Sequence, residues 1–217
     1  MNDETRLGRM RKRLGKNIPS WNHYSLACQA AAKYGLDEAL VCALCEVESG
    51  WNPWAVRYEA RYKWLVGFQC EYLPLSKWVY DTGHNIWYPL PDILKQFNSI
   101  FIEDRAAIQT ELLHQQTSVG LLQIMGAVAR ERGFRDWLTE LCDPAVNLEW
   151  GCKHLRWMLD HAGSFNIRAS TQWQNADLAA AWNGGARIME FVNAKPTGRY
   201  KNQSYVDRVV RAMVNYE

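Results

Sequence analysis

Glu48 is the first candidate for chemistry in this 217-residue chain, because it lies at the end of an apolar helical stripe. Residues 37–50 predict a helix, with a capping aspartate at its start and a glycine at its end. Leu44 and Cys45 precede Glu48 by four and three residues, so the three side chains share one face. Burial there, together with the negative end of the helix dipole, is expected to raise the pKa of the carboxyl group. A raised pKa is what a general acid requires near neutral pH.

Two simpler interpretations of this helix compete with catalysis. The carboxylate of Glu48 could extend to solvent or pair with one of the arginines, since structural carboxylates are common. Glu46 lies two residues earlier and on another side, and we interpret it as an ordinary solvated charge. The helix alone therefore nominates Glu48 without deciding its role.

Six cysteines raise the question of a zinc site. Cys42 and Cys45 form a CxxC pair, and His154 follows Cys152 by two residues. Zinc-binding pairs of this kind lie on turns and come with a second pair of ligands, whereas these two cysteines fall inside the predicted helix. The sequence therefore favours reduced cysteines packed in the core and predicts no metal site.

The composition is that of a folded globular protein, with 48% hydrophobic residues and 7 prolines. The net charge of +2 is unevenly placed, since residues 1–16 hold six basic residues against two acidic ones. We interpret residues 1–19 as a basic arm, suited either to an anionic polymer or surface or simply to solubility. A short arm is not a basic face, so nucleic-acid binding is not expected.

Hydropathy gives no reason to expect a membrane protein. No segment reaches the roughly 18 apolar residues of a membrane span, so no stable membrane insertion is predicted. The polar residues 1–6 lack the apolar core of a secretory signal peptide. We therefore expect a monomer that is made in the cytoplasm and leaves by another route if it acts outside.

Helical periodicity predicts an all-α, or mainly α, chain. Helices are expected over residues 21–34, 37–49, 104–115, 144–159 and 176–182, and from residue 204 onward. Residues 59–116 are rich in aromatics and prolines and predict an irregular lobe inserted into a single helical domain of residues 20–217. The eleven tryptophans and ten tyrosines suit either a Trp-rich core or a cleft that stacks on sugar rings.

Four short motifs occur in a fixed order along the chain. They are ESGWNPWAV (48–56), GLLQIM (120–125), DPAVNL (143–148) and AAAWNGG (179–185), with Tyr205 and Val206 following. Together they resemble the lytic transglycosylase family, whose catalytic domain is lysozyme-like and similar to goose-type lysozyme. The resemblance covers about residues 20–58 and 117–210 and implies a lysozyme-like helical fold.

The chain departs from the family pattern in the link between the first two motifs. That link is usually short and has a serine near its start, whereas here Arg57 stands at about that position and residues 59–116 intervene. The tripeptide that begins at Arg57 resembles a variant of phage-type muramidases and transglycosylases, which makes Glu59 a candidate second carboxylate. Leu122 replaces the usual methionine, and Trp182 replaces the usual tyrosine.

The resemblance implies a substrate and a mechanism. The substrate would be the β-1,4 bond between N-acetylmuramic acid and N-acetylglucosamine in peptidoglycan glycan strands. Protonated Glu48 would donate its proton to the glycosidic oxygen and then accept one from the C6 hydroxyl, which closes a 1,6-anhydro ring. The muramoyl 2-acetamido group would stabilise the oxocarbenium-like centre, so neither a second acid nor a metal or cofactor is required.

Matching family positions imply a set of substrate-binding residues. Gln123 and Asn183 carry amides that would orient the acetamido groups, with helix-end capping as the alternative role. Met125, Trp182 and Tyr205 would shape the saccharide subsites, although packing explains them almost as well. The full candidate set is Arg57, Glu59, Gln123, Met125, Trp182, Asn183 and Tyr205.

Two other functions stay open at this stage. If Glu59, Glu71 or Glu111 positions a water, the same fold becomes a hydrolytic muramidase of the lysozyme or endolysin kind. A non-catalytic cell-wall-docking module is the second alternative, although it would be expected to have lost the acid. The polar start of the chain, beside a cell-wall target, favours a phage lysin or virion-borne lysin over a bacterial enzyme exported by a dedicated apparatus.

Overall fold

A computed structural model describes most of the chain. The described residues are 19–62, 64–66, 78–81, 86–89, 105–168, 171–186, 188–192 and 195–217. Residues 1–18 of the predicted basic arm, Cys70 and Glu71 therefore lie outside the described residues, as does much of the predicted lobe.

The fold is mainly helical, as predicted, with three small antiparallel sheets that the sequence did not predict. In chain order the described elements are α1 (Trp21–Lys33), α2 (Glu38–Ser49), β1 (Val56–Tyr58), β2 (Trp78–Asp81), β3 (Ile86–Pro89), α3 (Arg105–Gln115), β4 (Thr117–Val119), β5 (Ile124–Met125), α4 (Gly126–Glu131), a 3₁₀ turn (Leu138–Cys142), α5 (Pro144–Asp160), α6 (Ala162–Phe165), α7 (Thr171–Gly184), β6 (Met189–Val192), β7 (Lys195–Tyr200) and α8 (Gln203–Met213). Among these residues, none of the helices has the length and apolar character needed to cross a bilayer.

The chain divides into two compact units. The first comprises Met1–Asn52 and Gly151–Glu217, and the second comprises Pro53–Trp150. The boundary at residue 150 falls inside α5, whose start is capped by Asp143: its carboxylate accepts hydrogen bonds from the backbone N–H groups of Ala145 (2.8 Å) and Val146 (3.0 Å).

Helix α2 is the centre of the first unit. Asp37 caps it as predicted, since its carboxylate accepts hydrogen bonds from the backbone N–H groups of Ala39 at 2.8 Å and Leu40 at 3.3 Å. Residues 39–45 are all buried, so this stretch is enclosed on every side and not along one stripe only. Helices α1, α7 and α8 all pack against α2.

Helix α8 shows the strongest separation of apolar and polar faces. Its buried residues recur at helical spacing and are Tyr205, Val206, Val209, Ala212 and Met213. The intervening Asp207 and Arg208 are exposed. Burial of this face against α2 and α7 brings the side chain of Tyr205 inside the first unit.

The second unit is built around the sheet β1-β4-β5, in which β1 forms one edge. The antiparallel register places Arg57 opposite Ser118 and Ser118 opposite Met125. Helices α3 and α4 pack against β4 and are joined by the buried pair Glu111–Arg130. The predicted lobe contains the hairpin β2–β3 within its described residues, where an irregular segment was predicted.

The cysteines of the described part are free thiols. Cys42, Cys45 and Cys152 are buried, whereas Cys28 and Cys142 are half-buried. Burial is the main cause that raises the pKa of the Cys45 thiol well above its ordinary value, so this group stays protonated. Within the described ranges, no three or more His, Cys, Asp or Glu side chains are grouped to hold a metal ion.

Candidate functional site

Glu48 lies in the last turn of α2 and is half-buried. The phenol group of Tyr205, on α8, donates a hydrogen bond to its Oε1 atom across 2.5 Å. That distance is typical of an O–H donor bound to an ionised carboxylate. The structure therefore brings together two residues of the predicted site within the first unit.

Tyr205 keeps its proton at neutral pH. The side chain is only 5% exposed, and burial raises the pKa of its phenol above the ordinary value; the charge of Glu48 raises it further. The phenol therefore acts as a hydrogen-bond donor to Glu48. A donor in this place stabilises the ionised carboxylate and fixes its orientation.

The interpretation of Glu46 as an ordinary solvated charge is wrong. Its side chain is half-buried, and its Oε2 atom accepts a hydrogen bond from the phenol of Tyr216 at 2.8 Å. The Nδ2 atom of Asn215 lies 3.5 Å from the same oxygen. The segment after α8 covers this carboxylate, which no local pattern in α2 indicates.

Trp182 and Asn183 lie in the last turns of α7, also in the first unit. The Trp182 ring is half-buried, with its centroid 5.8 Å from that of His154. Asn183 is exposed, and its Oδ1 atom accepts a hydrogen bond from Nδ2 of Asn202 at 3.0 Å. The same Nδ2 atom donates to the carbonyl of Ala180 at 3.1 Å, so Asn202, and not Asn183, caps the end of α7.

In the second unit, the turn that starts at Gly120 is held by one buried side chain. The Oδ1 atom of Asn147 accepts from the N–H of Leu122 at 2.8 Å, and its Nδ2 atom donates to Val119 at 2.8 Å and Leu141 at 2.9 Å. Gly120 has φ +76°, and a Cβ atom there would lie 2.2 Å from Nδ2 of Asn147. The turn therefore requires both the glycine and the asparagine.

Gln123 follows this turn with φ +50° and directs its amide at the protein backbone. Its Nε2 atom donates to the carbonyl oxygens of Ala55 at 2.8 Å and Gly120 at 3.0 Å. Its Oε1 atom accepts from the hydroxyl of Ser118 at 3.1 Å. Both amide protons are therefore engaged, and one acceptor position on Oε1 remains for a ligand N–H group.

Ser118 is a residue that the sequence reasoning missed. It is 3% exposed, and its hydroxyl lies 3.1 Å from Oε1 of Gln123 and 3.3 Å from the carbonyl oxygen of Arg57. The family pattern has a serine near position 57, where this chain has arginine. Because β4 pairs with β1, a serine from a different strand supplies a hydroxyl beside residue 57.

The other candidates of the second unit are placed as follows. Arg57 is largely exposed on β1, with its Nε atom 2.5 Å from Oε1 of the half-buried Glu59. Met125 is half-buried at the end of β5. Glu111 is buried and accepts hydrogen bonds from Arg130 at 2.7 and 3.0 Å and from Gln115 at 3.0 Å. Glu111 is thus engaged on both oxygens, which argues against its use to position a water.

Asn147, Trp51 and Tyr216 are further residues whose buried hydrogen bonds the sequence reasoning missed. Asn147 belongs to a motif quoted above, so its place in the pattern was a signal, but its partners are not readable from it. Trp51 lies in the first quoted motif and follows a helix-ending glycine, but neither feature indicates its contact with Tyr216. Nothing local to Tyr216 indicates that it contacts α2.

The chain matches the model of a known protein family. The family model described as "Transglycosylase SLT domain" matches residues 95–204, just over half of the chain. The matched range contains Gln123, Met125, Trp182 and Asn183, begins after Glu48 and ends just before Tyr205. No curated protein sequence matches the chain.

Proposed function

Because this chain belongs to the transglycosylase SLT domain family, whose members cleave glycosidic bonds in peptidoglycan, we propose that Glu48 is its catalytic acid and base. The observation that carries the proposal is the hydrogen bond of 2.5 Å from Tyr205 to the half-buried Glu48. A single, oriented carboxyl group is what a one-acid mechanism requires.

The reaction has two proton transfers. The protonated carboxyl of Glu48 gives its proton to the glycosidic oxygen as the bond to C1 of N-acetylmuramic acid breaks. The carboxylate, stabilised by the Tyr205 phenol, then takes a proton from the C6 hydroxyl as O6 bonds to C1. Glu48 is protonated again at the end, and the products are a 1,6-anhydromuramoyl end and a free 4-hydroxyl on N-acetylglucosamine.

The remaining candidates are proposed as substrate contacts. The open acceptor position on Gln123 suits an acetamido N–H group, whereas the exposed amide of Asn183 suits either an acetamido N–H or its carbonyl. The half-buried rings and chains of Trp182 and Met125 suit apolar sugar faces. Arg57 and Glu59 complete the proposed set.

Hydrolysis is the second candidate, and the ion pair Arg57–Glu59 is the observation in its favour. The guanidinium group of Arg57 orients the Glu59 carboxylate, and a group that positions water requires a fixed orientation. Under this alternative, Glu48 remains the acid and Glu59 positions the water. We propose the transglycosylase reaction first because it needs no group beyond Glu48.

Mass spectrometry of the muropeptides released from purified peptidoglycan separates these reactions, with Glu48→Gln as the matched control. Products that lack one water and carry 1,6-anhydro ends would establish the transglycosylase. Reducing muramic acid ends would establish a muramidase, and Glu59→Gln would be tested next. Soluble products released by Glu48→Gln at the wild-type rate would overturn the role of Glu48. Wall binding with no product from either protein would favour a docking module.

The substrate sets where the enzyme acts. We propose that it acts on the cell wall as a monomer, because Glu48 of one chain serves as both the proposed acid and the proposed base. A phage-type origin stays a prediction that rests on the tripeptide at residues 57–59.

A further inference from the structure

The turn that follows Glu48 has an unusual backbone. Gly50 and Trp51 both lie in the left-handed region, with φ values of 60° and 64°. Glycine adopts this region freely, but a bulky residue does so only where its surroundings hold it there. Trp51 is only 5% exposed, so contacts inside the first unit keep its backbone in this conformation.

Tyr216 supplies such contacts. The indole Nε1 atom of Trp51 donates a hydrogen bond to the Tyr216 phenol oxygen at 2.9 Å, and the two rings meet edge to face with centroids 6.1 Å apart. The Tyr216 ring also stacks on Tyr24 of α1, with the ring centroids 6.4 Å apart. Tyr216 is itself only 2% exposed.

The same phenol donates its proton to Glu46. The distance from its oxygen to Oε2 of Glu46 is 2.8 Å. Burial raises the pKa of Tyr216 above the ordinary value, and the charge of Glu46 adds to this, so the phenol keeps the proton that it donates. The indole of Trp51 donates to Tyr216 and Tyr216 donates to Glu46, so the three groups form one directed chain of hydrogen bonds.

The two outer residues of this hydrogen-bond series, Glu46 and Trp51, lie on either side of Glu48 in the sequence. Glu46 precedes Glu48 by two residues, and Trp51 follows it by three. Tyr216 therefore contacts one side chain before and one side chain after the proposed acid. These contacts add to the backbone hydrogen bonds that close the end of α2, from Gly50 to Glu46 at 3.0 Å and from Trp51 to Cys45 at 3.2 Å. We propose that Tyr216 is a positioning residue, which acts through Glu46 and Trp51 to hold the Glu48 carboxyl against Tyr205.

The inference rests on the proposed role of Glu48 and is tested by Tyr216→Phe. This variant keeps the ring and its stacking but removes the hydroxyl that joins Trp51 to Glu46. The expected result is a kcat about ten-fold lower on soluble peptidoglycan glycan strands, since small misplacements of a reacting group are costly, with KM unchanged.

Tyr200→Phe is the matched control. Tyr200 lies in the same unit, is 4% exposed, and donates its phenol proton to Asp177 at 2.7 Å. The hydrogen-bond partners of that phenol, Asp177 and the guanidinium group of Arg168 at 2.8 Å, both lie outside α2. Both variants are expected to lower Tm, but only Tyr216→Phe should lower kcat. An equal loss of kcat in both would mean a merely structural effect and would overturn the inference.

Two substitutions of Glu46 keep the test decisive if Tyr216→Phe does not fold. Glu46→Gln retains an oxygen that accepts the phenol proton and should keep kcat within about three-fold of wild type, whereas Glu46→Ala should reproduce the ten-fold loss. Equal kcat values for the two would overturn the inference. If Glu48→Gln keeps wild-type activity, the proposed function is wrong. If Glu48→Gln is inactive but Tyr216→Phe is fully active, only the present inference is wrong.

Discussion

Glu48 and Tyr205 lie 157 residues apart in the chain and share one hydrogen bond of 2.5 Å. Glu48 lies in the last turn of α2, and Tyr205 is the first buried residue of α8. Because both helices belong to the core of the first unit, the pair is held by packing and not by loops. The phenol and the carboxyl group are thereby fixed relative to each other before any substrate binds.

The first prediction is that Tyr205→Phe lowers kcat by about 10- to 100-fold, since a hydrogen bond to a charged group contributes about 1.5–3 kcal/mol. Without the phenol, the ionised carboxylate is less stable and holds its proton to higher pH. The alkaline limb of the kcat/KM profile, which reports loss of the acidic proton, should therefore move upward. The measurement is the pH profile of wild type and variant, with Tyr200→Phe unmoved. A downward shift would contradict the donor role of Tyr205.

The second prediction separates two asparagines. Asn147→Ala removes the hydrogen-bond partner of the Leu122 N–H group and of the Val119 and Leu141 carbonyl groups. We therefore expect the free energy of unfolding to fall by about 2–4 kcal/mol. Asn183 is exposed, and Asn183→Ala should change that free energy by less than about 0.5 kcal/mol while lowering kcat/KM. Urea unfolding and glycan-strand kinetics on both variants check this. Unchanged kinetics for Asn183→Ala would remove it from the substrate site.

The third prediction concerns two glycines with positive φ. Gly120→Ala should lower the free energy of unfolding by about 3 kcal/mol or more, because the new Cβ atom would meet Asn147 and the carbonyl of Leu141. Gly133 has φ +98°, and a Cβ there meets nothing within 4 Å, so Gly133→Ala should cost only about 1–2 kcal/mol for its backbone. Equal losses in urea unfolding would show that the clash at residue 120 is relieved by movement.

The fourth prediction tests whether Glu111 takes part in the reaction. Glu111→Gln breaks the buried pair with Arg130 and leaves a buried guanidinium without its counter-charge, which typically costs about 3–5 kcal/mol. Its kcat at temperatures well below Tm should match wild type. A large loss of kcat in folded protein would revive Glu111 as a water-positioning acid.

Glu59 is the acid that the hydrolytic alternative retains. Its partner Arg57 is largely exposed, so Glu59→Gln should change stability by no more than about 1 kcal/mol. For a transglycosylase, this variant keeps 1,6-anhydro products and loses at most part of its substrate affinity. A kcat loss of about 100-fold or more, with reducing ends in the wild-type products, would instead support the muramidase.

The sequence by itself determined the local features. The helix that carries Glu48 followed from its apolar spacing, its Asp37 cap and its terminal glycine, all of which act within a few residues. The same holds for the cap at Asp143 and for the mainly helical class. The order of the motifs determined the family, because each motif is read along the chain and needs no knowledge of contacts.

Only the tertiary structure decided which groups meet. Strands of two or three residues, such as β5, are too short to show a period, so the small sheet that sets Ser118 beside Gln123 was not foreseen. Glu46 was predicted to be solvated because the sequence of α2 gives no indication of a contact with Tyr216, which is 170 residues away. Hydrogen bonds between distant side chains form after packing has set their distance, and packing is a property of the whole folded unit. The sequence therefore nominated Glu48 as the proposed acid, and the fold decided which residues contact it.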